Sequence, residues 1–179
     1  EAGACALAIH GRTVEQLYAG PVALDVVRAV AADVPIPVLA NGGVFCRADA
    51  VALRRGTRCS RIIVARGAVG NPWLFRDLDD SGAPPPTHEE VCRRLERHVR
   101  GMMQLYGESV GLRQARKIVA AYLKGRGYPR RLRVRSMGLA VAADLAAFLG
   151  ELRSCRADDA PCPTAPSGDR IGPAPANPE

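Results

Sequence analysis

Short apolar runs alternate with helix-spaced stretches over the first half of the chain, and the period then changes. Ala4 to Ile9 is almost wholly apolar and ends at His10, as buried parallel strands do when both faces are covered. Gly11-Arg12-Thr13 breaks the run, and Leu24, Val27 and Val30-Ala31 then recur at helical spacing. Pro35 and Pro37 end that helix, and Pro37-Val38-Leu39-Ala40 reads as a second strand. Ala48 to Leu53 predicts a helix that stops at Gly56, and Arg61 to Ala65 a third strand. The segment Ala68 to Phe75 reads as the beginning of a short helix, with Trp73 and Phe75 packing it against the sheet. Such alternation is the mark of βα units around a parallel sheet.

After Phe75 the pattern is helical. Asp79 to Pro86 is polar and proline-rich, as linkers are. Thr87-His88-Glu89-Glu90 has the form of a capping box, with Thr87 as N-cap and Glu90 at the third helical position. The helix it opens carries Val91, Leu95, Val99 and Met102 on one stripe to about Tyr106, and Gly107 stops it. A second helix is expected from Val110 to Leu123 and a third from Leu139 to Leu152. From Arg156 the chain is rich in Pro, Ala, Gly and Asp without periodicity, which predicts disorder. The expected division is a sheet-bearing part over 1–78, a linker over 79–86, a helical domain over 87–154 and a disordered tail over 155–179.

Length changes the picture. Three strands in 179 residues fall short of an eight-stranded (β/α) barrel, which takes about 200 residues or more. The fold class expected is therefore α/β: the C-terminal part of a (β/α)8 TIM barrel followed by a small α-helical domain. On this reading a missing N-terminal half-barrel is needed to complete the fold, because three strands leave open edges.

Charge is unevenly spread. Residues 1–90 carry 9 basic and 10 acidic groups, residues 91–135 carry 13 and 2, and residues 136–179 carry 3 and 6. A middle block this basic points to a polyanion such as RNA. Cys5, Cys46, Cys59, Cys92, Cys155 and Cys162 form no C-x-x-C pair and no zinc-finger spacing with His. Reduced, scattered thiols in a cytoplasmic protein are expected, with no metal site. No apolar run reaches the roughly 18 residues of a membrane span.

Chemistry is expected at the strand ends. His10, Asn41 and Arg66 are each the first polar residue after an apolar strand, so in a parallel barrel they would meet at one mouth. Asn41-Gly42-Gly43 offers backbone N–H groups with no Cβ in the way. Arg66-Gly67 adds a guanidinium suited to bidentate phosphate binding, and a helix N-terminus over Ala68 to Phe75 would favour the same anion. His88 and His98 read as surface or capping residues of the helical domain.

Several ordered runs together carry a resemblance. They are His10-Gly11-Arg12-Thr13, Gln16-Leu17-Tyr18-Ala19-Gly20, Ala40-Asn41-Gly42-Gly43 and Arg66 to Phe75, then Tyr106-Gly107, Arg116-Lys117 and Tyr122-Leu123-Lys124-Gly125. Over about residues 1–150 the chain resembles the tRNA-dihydrouridine synthases. The resemblance implies a flavin-bearing barrel and a helical tRNA-binding domain in an enzyme that reduces the C5=C6 bond of selected tRNA uridines, with FMN as cofactor and NADPH as reductant. It implies that Asn41, Gly42, Gly43, Ala65, Arg66 and Gly67 hold the FMN phosphate and that His10 lies beside the flavin ring. It places Arg12 near the cofactor or RNA, and Arg113, Arg116, Lys117 and Lys124 on tRNA phosphates.

The chain departs from the family at Gly43, where Asp is usual, and at Ala65, where Gly is usual. Neither change removes a backbone N–H. The family's catalytic cysteine lies upstream of these strands, and none of the six cysteines here matches it. No catalytic residue is therefore expected within this chain, which alone would be inactive. Two other readings stay open: a non-catalytic basic RNA-binding remnant, or another FMN-dependent barrel oxidoreductase such as a dihydroorotate dehydrogenase.

Overall fold

The computed structural model describes residues 3–155. The expected disorder of the tail falls, from residue 156 on, outside the described residues, as does Cys162. The described residues form two compact units, one of residues 3–68 and Leu74–Gly82, the other of Val69–Trp73 and residues 83–155.

The first unit is α/β. Strands β1 (Leu7–His10), β2 (Val38–Asn41) and β3 (Arg61–Ile63) form a parallel sheet in sequential order. Leu7 pairs with Val38 and His10 with Asn41, while Asn41 also pairs with Ile63. This register brings the C-terminal ends of the strands level. Helices α1 (Leu24–Asp33) and α2 (Arg47–Thr57) follow the first two strands. Val22, Leu24, Val27, Val38, Ala40, Val44, Ala50 and Leu53 make the core. By contrast, β1 is an edge strand whose apolar Leu7 remains 36% exposed.

Asp49 fixes how the chain leaves β2. Its carboxylate accepts from the N–H groups of Phe45 (2.8 Å) and Cys46 (3.1 Å), so it caps the start of α2. The expected stop at Gly56 is corrected. Gly56 lies inside α2, and a Cβ there would come within 2.5 Å of Leu24 Cδ1, so this glycine serves close packing of α2 on α1. The helix ends one residue later, at Thr57, because Arg58 turns left-handed at φ 58°.

The expected helix over Ala68 to Phe75 is also corrected. Arg66–Ala68 forms one 3₁₀ turn, and helix α3 (Leu74–Asp79) begins only at Leu74. Arg47 Nη1 holds the end of α3 by donating to the carbonyls of Asp77 (2.9 Å) and Leu78 (2.7 Å).

The second unit is helical: α4 (His88–Tyr106), α5 (Glu108–Leu123), α6 (Arg130–Ser136) and α7 (Ala142–Ser154). The capping box at Thr87 is present. Thr87 Oγ1 accepts from the Glu90 N–H at 3.2 Å, and Glu90 Oε2 accepts from the Thr87 N–H at 2.9 Å. Val91, Leu95 and Val99 of α4 are buried against Leu112, Val119, Leu123, Leu145, Phe148 and Leu149.

Helix α6 had no signal in the sequence, since among Arg130–Ser136 the only buried apolar side chain is Leu132. The last helix starts three residues later than the pattern suggests. Asp144 Oδ2 accepts from the N–H groups of Ala140 (2.9 Å) and Val141 (3.0 Å), and so sets the start at Ala142. The expected packing of the short helix against the sheet by Trp73 and Phe75 is corrected. Trp73 belongs to the helical unit's core, edge-on to Tyr122 at 6.0 Å, whereas Phe75 is half exposed. Arg126 holds Trp73 there: its guanidinium lies 4.9 Å from the indole and donates to Asn71 Oδ1 (2.8 Å) and the Tyr122 carbonyl (3.0 Å).

Candidate functional site

Level strand ends make a pocket. A cavity of about 260 Å³ opens there, lined by His10 from β1, Asn41-Gly42-Gly43 after β2, and Ala65-Arg66-Gly67 after β3. Tyr18, Val44, Phe45 and Ile63 complete the wall, and no carboxylate lines it. Pockets that enclose a drug-sized ligand run to roughly 300–1,000 Å³, so this volume suits one end of a cofactor, such as a phosphate, better than a whole tricyclic ring.

His10 and Asn41 are joined. His10 Nδ1 lies 3.0 Å from Asn41 Oδ1, so the ring donates from Nδ1, and a neutral ring then presents an unprotonated Nε2. The Asn41 carbonyl accepts from the Gly11 N–H at 3.2 Å, which ties the two strand exits together. Gly42 and Gly43 both have positive φ, 141° and 70°, a conformation that side-chain-bearing residues rarely take. Gly67 answers to a different constraint. A Cβ there would sit 2.1 Å from the Val44 carbonyl oxygen, so the loops after β2 and β3 touch through this residue.

Arg66 is the cation of the pocket. Its Cζ lies 3.7 Å from the centroid of the Tyr18 ring and 5.7 Å from that of Phe45. Arg12 does not line the pocket; its Nε donates to the Gly20 carbonyl at 3.1 Å and closes the loop that carries Tyr18. Burial, and after it the neighbouring Arg66 charge, pushes the Arg12 guanidinium below its ordinary value. Tyr18 and Phe45 were missed as site residues. Tyr18 lay in the quoted run Gln16 to Gly20, but nothing in that spacing shows that its ring meets Arg66.

The basic residues separate by placement. Arg113, Lys117 and Lys124 are exposed, and their spacing puts them on one side of α5 and its end. Arg116 is turned inward, where Nε (3.0 Å) and Nη2 (2.9 Å) both donate to the Leu139 carbonyl. His88 and His98 contact tyrosines: His88 Nδ1 is 2.9 Å from Tyr128 Oη and His98 Nδ1 3.3 Å from Tyr122 Oη. Burial pushes Tyr128 up to about 12, with the Cys92 thiol a lesser cause. Burial likewise raises the thiols of Cys46 and Cys92, which keeps them from being ready nucleophiles. The five described cysteines are unpaired, and Cys5 precedes β1, at the opposite end of that strand from His10. Among the described residues no group of three or more His, Cys, Asp or Glu could hold a metal. Among them, too, no helix is long and apolar enough to cross a membrane.

A family model described as dihydrouridine synthase (Dus) matches residues 1–152. The chain belongs to this family. It is 36% identical over 162 residues to the tRNA-dihydrouridine synthase B of Pseudomonas putida, an alignment covering 86% of this chain and 48% of that protein. It is 41% identical over 129 residues to the tRNA-dihydrouridine synthase B of Klebsiella pneumoniae, covering 69% of this chain and 40% of the relative. A probable tRNA-dihydrouridine synthase of Mycobacterium leprae is 38% identical over 129 residues, covering 69% and 34%. The chain thus spans half or less of the length of these curated Dus relatives. Its parallel sheet followed by a helical majority agrees with Dus membership.

Proposed function

We propose that this chain is the C-terminal part of an FMN-dependent tRNA-dihydrouridine synthase, which reduces the C5=C6 bond of specific tRNA uridines with NADPH in the cytoplasm. The sheet-bearing unit supplies the last three βα units of a (β/α)8 barrel, and the helical unit binds tRNA. The observation that carries this reading is the pocket at the level strand ends, where one guanidinium, two positive-φ glycines and no carboxylate come together. That donor set fits a phosphate monoester. The exposed apolar edge of β1 fits a strand of the same barrel pairing with it.

On this reading Arg66, Asn41, Gly42, Gly43, Ala65 and Gly67 hold the FMN phosphate. His10 sits beside the ring system, its orientation fixed by Asn41. Bound flavin supplies the two-electron chemistry. The residues of this chain anchor and orient it, and His10 offers Nε2 as a hydrogen-bond acceptor. Arg113, Lys117 and Lys124 meet tRNA phosphates, while Arg116 serves the helical fold. Titration of FMN and riboflavin into the protein translated from the complete transcript, before and after Arg66→Ala, tests the phosphate site. The expected result is a wild-type preference for FMN that Arg66→Ala removes. A preference that survives the substitution refutes the assignment.

The basic stripe also supports a second reading, an RNA-binding module without catalysis. The same titration separates the two, because that module has no preference for FMN over riboflavin.

A further inference from the structure

Arg66 stands near two aromatic rings that the phosphate reading does not use. The Tyr18 ring, in the loop after β1, lies 3.7 Å from its Cζ, and the Phe45 ring, in the loop after β2, 5.7 Å. Tyr18 is 65% exposed and takes no part in the core. An exposed aromatic over a cation has a reason to be there that packing does not supply.

The loop bearing Tyr18 is built to hold that ring in place. Thr13 N–H donates to Gln16 Oε1 at 2.9 Å, and Gln16 N–H donates to Thr13 Oγ1 at 3.4 Å. Ala19 N–H donates to the Gln16 carbonyl at 2.8 Å, and Arg12 Nε closes the loop on the Gly20 carbonyl. Leu17, next to Tyr18, takes a left-handed φ of 48°. A side chain other than glycine enters that region only where its surroundings impose it.

We propose that Tyr18, assisted by Phe45, is the positioning residue for the phosphate-binding arginine. A guanidinium stacked on an aromatic face is confined to the plane parallel to that face, which leaves its N–H edge for the ligand. A free arginine loses rotamer freedom when it binds a phosphate. Arg66 has given up part of that freedom beforehand, so the tyrosine raises phosphate affinity without touching the phosphate. The inference rests on the phosphate reading above and adds to it a residue acting only through Arg66.

The test compares wild type, Tyr18→Phe, Tyr18→Leu and Arg66→Ala in the complete protein, titrated with FMN and with riboflavin while flavin fluorescence is followed. Tyr18→Leu keeps an apolar side chain but removes the π face. The expected result is a two- to fivefold loss of FMN affinity in Tyr18→Leu, the range for an exposed cation–π contact. Riboflavin affinity is unchanged, and Tyr18→Phe restores FMN binding.

Equal losses for both flavins, or no loss for FMN, overturn the positioning role. If Arg66→Ala abolishes the FMN preference while Tyr18→Leu keeps it, only the tyrosine's role fails. If wild type shows no preference, or Arg66→Ala retains it, the phosphate reading fails and the positioning role with it. A ligand-free readout stands beside these: the Arg66 Nε–H resonance is shifted upfield by the ring current in wild type and Tyr18→Phe, and the shift is lost in Tyr18→Leu. An unshifted wild-type resonance overturns the clamp directly.

Discussion

His10 and Asn41 are register partners in the parallel sheet, and the imidazole Nδ1 reaches the Asn41 amide oxygen at 3.0 Å. The same asparagine lines the pocket at the strand ends. One residue therefore accepts from the imidazole, which sets the tautomer, and also forms part of the pocket wall.

Replacing Asn41 by Leu removes the acceptor. A hydrogen bond of this kind contributes about 1 kcal/mol, or a roughly fivefold bias between the two neutral tautomers. With the ring neutral, nitrogen chemical shifts should report mainly Nδ1–H in wild type and a mixture in Asn41→Leu. An unchanged tautomer ratio would show that Asn41 does not orient the ring.

The ends of β1 and β2 were legible because each is an apolar run that stops abruptly at a polar residue, as Val38-Leu39-Ala40 stops at Asn41. By contrast, β3 ends at Ile63, two residues short of the expected Ala65, because Val64-Ala65 continues the apolar run beyond the paired strand. The start of α4 was legible because a capping box is a local pattern, with Thr87 and Glu90 three residues apart. Interactions distant in sequence were not legible. Tyr18 and Arg66 are 48 residues apart, and no period relates them. Gly56 looked like a stop because glycine usually ends helices, yet its missing Cβ is what Leu24 requires. Helix α6 is short and mostly arginine, so it has no apolar stripe to read. Arg116 and Lys117 are adjacent in sequence but turn to different sides of α5, which a charge count cannot separate.

Arg58 is a place where the chain is less stable than it could be. It closes α2 in the left-handed region at φ 58° and ψ 13°, and its side chain is exposed. That conformation costs a non-glycine residue roughly 1–2 kcal/mol, and glycine's greater freedom in the unfolded chain offsets part of the gain. Arg58→Gly should raise stability by about 0.5–1 kcal/mol, seen as a higher urea midpoint with an unchanged slope. A lower midpoint would mean that the arginine side chain contributes more than its backbone costs.

Glu96 ties α4 to α7. Its Oε1 accepts from Arg100 at 2.8 Å and its Oε2 from Arg153. The Arg100 hydrogen bond, with Arg153 adding to it against the opposing effect of burial, holds the carboxyl below its ordinary value of 4.5. A folded-state value below the unfolded one stabilises the fold above about pH 4.5, and the contribution is lost as pH falls through the folded value. Glu96→Gln should therefore cost about 1 kcal/mol near neutral pH, a magnitude limited by partial exposure. The gap between the two proteins should close below pH 4.5. Denaturant titrations at a series of pH values check this, and a gap independent of pH would remove the ion pairs from the account.

Arg116 and Lys117 allow a structural role and the proposed RNA-binding role of the basic block to be measured apart. Arg116 donates twice to the Leu139 carbonyl, and Leu139 is itself buried. Arg116→Ala leaves that oxygen without its charged donor and should cost about 1–3 kcal/mol. Lys117 is exposed, so Lys117→Ala should change stability by no more than about 0.5 kcal/mol. On RNA the order reverses. If Lys117 neutralises a tRNA phosphate, its removal weakens binding across sequences and lowers the slope of log affinity against log salt by about one. Properly folded Arg116→Ala, assayed well below its unfolding midpoint, should keep the wild-type slope. Should Arg116→Ala reduce the slope while Lys117→Ala leaves it unchanged, the inward arginine rather than the exposed lysine would be the phosphate contact.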